Sequence, residues 1–170
     1  MISQQQIDET VTWQGLNEFA SFVLAHAVQG GLADYETMNL MRIPRLVPHL
    51  FVYDLRTRDG RSRLLMNFAG SQINDLWGEN SLGKYDIDRF AGNPVLEAVG
   101  RHRLACIDAR RPGYSQRFIQ LETETNGKKF KYTESLFFPC SSDRKTVNWS
   151  IGCAYYDLKP FDGADIFRQL

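Results

Sequence analysis

The chain has 170 residues, with 20 Lys and Arg against 20 Asp and Glu and 43% hydrophobic residues. That length suits one domain with an added helix and is enough to bury a core. The zero formal charge lacks the basic excess expected of a dedicated nucleic-acid binder. No apolar run approaches the roughly 18 residues needed to span a bilayer. Met1-Ile2-Ser3-Gln4-Gln5-Gln6 has neither the basic nor the apolar region of a signal peptide. Cys106, Cys140 and Cys153 lack C-x-x-C spacing and read as reduced thiols, so the expected location is cytoplasmic.

Residues 8–29 read as an amphipathic helix: Val11, Leu16, Phe19, Ala20, Val23, Leu24 and Ala27 recur at steps of three to five. Asp8 or Thr10 is the expected cap, and Gly30-Gly31 the stop. The apolar stripe needs a cover, either its own domain or a second copy of the chain in a homodimer. Residues 32–49, with Pro44 and Pro48 and no sustained period, read as a connector. Strands follow at 50–55 and 63–69 around the Asp59-Gly60 hairpin signal. The arginines at 56, 58, 61 and 63 read as a solvated hairpin rim, because no aromatics interleave with them.

Short helices are expected at 71–77 and 84–90, and a longer one from Asn93 to Arg110 with Asn93 as cap and Pro94 in its first turn. Three strands complete the chain at 114–123, 129–138 and 146–156, the first two joined by an Asn126-Gly127 turn. This order describes an α+β protein. A five-stranded antiparallel sheet carries the short helices and the long helix on one face, and the N-terminal amphipathic helix is added to it. Residues 1–41 form the helix and connector, 42–158 the domain, and 159–170 a short tail. Nine of the 21 aromatic residues fall between Tyr114 and Tyr156.

The order of elements resembles the PAS fold. The segment Phe68-Ala69-Gly70-Ser71 through Leu76-Trp77-Gly78 to Leu82-Gly83 is similar to one PAS subfamily, the stand-alone type common in alphaproteobacteria. Gly70, Leu76, Gly78, Leu82 and Gly83 match, with one extra residue between Gly78 and Leu82 and Ser71 where Thr is usual. Arg111-Pro112, Pro139, Ile151-Gly152 and the entry segment 44–50 also match. The resemblance implies a non-catalytic sensor or interaction module that binds a small ligand or protein partner and signals to another protein. The dozen residues after Leu158 fit that expectation. An adaptor with a filled core, and a cone-shaped α+β enzyme or small-molecule carrier, are the alternatives.

No catalytic motif is present: no G-x-S-x-G, no phosphate loop, no H-E-x-x-H. Cys106 and Cys153 read as packing residues, and Cys140, at a strand end, is expected nearer the surface. Val95, Val99, His102 and Cys106 share one face of the long helix. Haem-binding PAS domains take a proximal His from this helix, which makes His102 the residue to consider for haem. Arg101 and Arg103 on either side favour a surface or hydrogen-bonded role instead. The Asn-Cys-Arg-Phe-Leu-like motif of flavin photochemistry is missing, so flavin is not expected. Glu134 interrupts the apolar alternate face of Phe130, Tyr132, Leu136 and Phe138, and needs a basic side chain or a polar ligand as partner. With Tyr132, the adjoining Trp149 and Ile151, and Phe68 and Phe118 nearby, it forms the expected ligand-binding wall, alongside His102.

Overall fold

Two helices, not one, lead into the sheet. The computed structural model describes residues 2–28, 32–121, 129–159 and 163–170, so the Gly30-Gly31 stop and the Asn126-Gly127 turn lie outside the described residues. Helix α1 (Gln4–Asp8) starts earlier than its apolar pattern suggests because Ser3 and Gln6 form a reciprocal capping box. Helix α2 spans Gln14–Leu24, after Trp13 in extended backbone. The expected single helix over 8–29 is broken at Val11-Thr12-Trp13. There the Thr12 N–H is taken by the Glu134 carboxylate at 2.7 Å instead of by a helical carbonyl. The stripe of α2, Leu16, Phe19, Ala20 and Val23, is fully buried on its own sheet, which is the intradomain alternative.

The connector contains a two-residue strand β1 (Ala33–Asp34), parallel to the end of a later strand, and 3-10 turns at Tyr35–Thr37, Leu40–Arg42 and Val47–His49. Strands β2 (Leu50–Arg58) and β3 (Arg61–Ala69) form the expected hairpin. Its Asp59 and Gly60 both have positive φ, 54° and 69°, as a tight hairpin turn of this type requires. At Gly70 the chain turns off the sheet so close to the Val47 and Pro48 carbonyl oxygens that a Cβ would stand 2.3 Å from each. Helix α3 (Ser71–Trp77) follows, then α4 (Asp86–Phe90) and α5 (Pro94–Ala109), capped by Asn93 as expected.

The remaining strands are β4 (Gly113–Leu121), β5 (Lys129–Ser141), β6 (Trp149–Lys159) and β7 (Ile166–Gln169). Their order across the sheet is β3-β2-β6-β5-β4-β7, all antiparallel, with β1 attached to β5. The protein is therefore α+β with an open, mainly antiparallel sheet, but the sheet exceeds the expected five strands. The tail supplies β7, which pairs with Gly113–Gln116 and satisfies the otherwise open edge of β4. Four residues are too few to show a period of two, so sequence reading leaves them in a tail.

Helices cover both faces of the sheet. On the outer face, Ile7, Leu16, Phe19 and Val23 of α1 and α2 pack on Leu50, Val52, Leu136, Phe138, Ile151 and Cys153. On the inner face, Ile73, Leu76, Cys106 and Ile107 of α3 and α5 pack on Phe51, Tyr53, Leu64, Met66, Phe137 and Ala154. All three cysteines are buried, Cys140 included, because the parallel pairing with Ala33 and the Tyr35–Trp149 stack close over that strand end. No helix among the described residues is long and apolar enough to cross a membrane.

Candidate functional site

Side chains alternate across a strand, so neighbouring residues of β4 and β5 serve different cores. Six of the seven expected binding residues share the outer face but do not form one wall. Phe118, Tyr132 and Glu134 sit at one end of the β4–β5 pair, whereas Ile151 and Trp149 face Phe138 and Cys140 at the other end of β5, with Phe68 beyond them on β3. Glu134, fully buried, accepts hydrogen bonds from the Thr12 N–H at 2.7 Å, from the Thr12 hydroxyl and from the Tyr132 hydroxyl at 3.2 Å. Its partner is thus the α1–α2 junction and not a basic side chain. The Phe118 and Tyr132 rings pack at 5.1 Å, Trp149 stacks on Tyr35 at 4.8 Å, and Ile151 and Phe68 join the outer core. His102 stands apart from these six, on the other side of the sheet. Its half-buried ring lies against Gly113, Cys106 and Phe167, and burial holds its pKa below the usual histidine range.

The inner face carries a layer of charge that the sequence reading did not single out. Arg103 of α5, 3% exposed, donates from Nη1 to Asp86 Oδ2 at 2.9 Å and to the Tyr53 hydroxyl at 2.7 Å. Its guanidinium carbon sits 4.6 Å from the Phe51 ring centre and 5.1 Å from that of Tyr53, with Phe90 and Phe137 about it. Burial pushes its pKa down, but Tyr53 and Asp86 outweigh that and hold it above the usual range. Arg89 approaches the other Asp86 oxygen at 3.3 Å and reaches Glu79 at 3.2 Å.

Arg117 of β4 completes the layer and is 0% exposed. Its Nη1 donates to Ser115 Oγ at 2.9 Å and Ser135 Oγ at 3.2 Å, and its guanidinium carbon lies 5.7 Å from the Trp77 ring centre. Nε and Nη2 are buried with no partner, as is the hydroxyl of Thr133, the residue facing Arg117 in the β4–β5 register. Burial, helped by the charge of Arg103, lowers the Arg117 pKa to about 9. Beside this layer a cleft of about 320 Å³ opens between β3, α4 and α5, lined by Leu64, Phe90, Leu104 and Asp86. Asp86 therefore faces both the cleft and the buried arginines.

One signal for this layer was available. Ser115 and Arg117 alternate with Tyr114, Gln116 and Phe118, and Thr133 and Ser135 with Tyr132, Glu134 and Leu136. A polar alternate face normally looks to water; here α3–α5 cover it. The layer offers fixed cations and hydroxyls, while burial raises the Cys106 and Cys140 thiols to about 12 and Cys153 further still. Among the described residues no group of three or more His, Cys, Asp or Glu is placed to hold a metal ion. A scan against models of protein families finds no match, and a search of curated proteins finds none either.

Proposed function

We propose that the chain is a non-catalytic, PAS-like sensory module that binds a small ligand on the inner face of its sheet and passes the signal to a protein partner. The observation that carries this reading is the buried charge layer beneath α3–α5, in which Arg117 has no counter-charge among the described residues. A core filled only for stability has little use for a buried cation without a counter-charge, since desolvation is repaid only by a partner. The PAS part rests on the order of elements, in which a hairpin, three helices and a three-strand meander close with β6 on β2. The motif glycines support it: Gly78 and Gly83 have φ of 69° and 74°, values that favour glycine.

Native mass spectrometry of the purified chain, with an absorbance spectrum, tests the reading. A reproducible bound mass below the size of a peptide supports a ligand sensor, and a Soret band would identify the ligand as haem. A bare mass, with no change in melting temperature across a panel of small organic acids, bases and neutral metabolites, would point instead to the adaptor with a filled core.

A further inference from the structure

We infer that the inner face binds a small carboxylate on the Nε/Nη2 edge of Arg117, with the Thr133 hydroxyl beside it. This rests on the ligand-sensor reading and names the class of ligand. Three features of the layer lead to it.

The first is the identity of the unpaired donors. A guanidinium presents two N–H groups pointing the same way along the edge shared by Nε and Nη2, at a spacing that matches the two oxygens of a carboxylate. In Arg117 the remaining nitrogen, Nη1, is occupied by Ser115 and Ser135, and the two vacant donors are those of that edge. The Ser115 and Ser135 hydroxyls also bond to each other at 2.8 Å. They act as a fixed bracket that orients the fork.

The second is charge. Arg103 and Arg117 are buried and the side chain of Arg89 is only 4% exposed, whereas Asp86 is the buried carboxylate placed among them and is already shared by Arg89 and Arg103. Among the described residues no carboxylate lies within ion-pair distance of Arg117. Counting the Glu79 carboxylate that also reaches Arg89, three guanidinium charges face two carboxylates; the layer is short of one negative charge, and a monoanion supplies it. Thr133, directly opposite Arg117, offers a third unpartnered donor for the same anion.

The third is the surroundings. The half-buried Trp77 ring covers the guanidinium from α3. An apolar cover favours a carboxylate with a short aliphatic or aromatic body over a fully hydrated inorganic oxyanion.

The experiment is thermal unfolding of the full chain with sodium acetate and sodium benzoate, each at about 10 mM, against sodium chloride and sodium phosphate at matched ionic strength. At least one carboxylate is expected to raise the melting temperature where chloride and phosphate do not. The Arg117→Met variant is expected to lose that response, with affinity down about tenfold or more, and Thr133→Val to weaken it several-fold. Without ligand, Arg117→Met is expected to melt no lower than the parent, since Ser115 and Ser135 keep each other satisfied. The inference is overturned if phosphate or chloride stabilises as well as the carboxylates, or if Arg117→Met still responds. It is overturned too if that variant without ligand is clearly less stable, because the guanidinium would then already have its partner. A neutral ligand recovered by native mass spectrometry, with no carboxylate response, defeats the carboxylate and leaves the sensor reading standing. If nothing binds, both fall.

Discussion

Replacing Asp86 with asparagine keeps the size of the side chain and removes the negative charge that Arg103 and Arg89 share. Asp86 is 4% exposed and Arg103 is 3% exposed, so water does not compensate either group. Removing one partner of a buried pair costs about 3–5 kcal/mol, mostly from the charge left behind. The Phe51 and Tyr53 rings at 4.6 and 5.1 Å and the Tyr53 hydroxyl at 2.7 Å still hold Arg103, which places the loss near the lower end, about 3 kcal/mol. For a domain of this size that lowers the melting temperature by about 6–12 °C. Urea unfolding followed by tryptophan fluorescence measures it directly, because Trp77 lies on the same face. The double variant Asp86→Leu with Arg103→Met removes both charges and should recover to within about 1 kcal/mol of the parent. A loss below about 1 kcal/mol for Asp86→Asn would refute the account of Arg103 as a cation held in place by this carboxylate.

Three further outcomes are expected. Glu134→Gln leaves one of the Thr12 donors facing an amide nitrogen, so it should cost about 1–3 kcal/mol and speed hydrogen exchange at the Thr12 amide, while strand amides keep their protection. The three thiols should resist a thiol reagent at neutral pH in the folded protein and all react on unfolding, since burial raises every one of them. The pH dependence of Arg117 follows from its lowered pKa. Its charged form is the one the fold disfavours, so the penalty is present at neutral pH. It is relieved as pH rises above about 9 toward the ordinary arginine value. The stability difference between the parent and Arg117→Met should therefore shift in favour of the parent above pH 9, and a difference that stays flat there argues against an unpaired cation.

Element positions were legible because their signals are local. The Asp59-Gly60 turn, the Asn93 cap with Pro94, and the glycines that bound α3 each act within a few residues, and the structure places those elements where the signals stand. The break before α2 was not legible, because it is set by Glu134, 122 residues away from Thr12. The position of β7 depends likewise on the open edge of β4. For the candidate site, periodicity separated the two faces of β5 correctly but could not say which one the helices α3–α5 cover. Apolar residues marked the face under α1 and α2, and the polar face, which would ordinarily look to solvent, proved to be the one holding Arg117. Arg103 was noticed only as a neighbour of His102, since a helix of mixed polarity does not announce which arginine is buried.

The sheet with helices on both sides makes β5 a partition between two compartments. Phe137 belongs to one core and Phe138 to the other, one peptide apart. A fluorinated phenylalanine placed at each position in turn would give two resonances separated by a single residue in sequence and by the thickness of the sheet in space. One would respond to substitutions beneath α3–α5 and the other to those beneath α1 and α2. A disturbance seen at both would mean that the strand itself had moved.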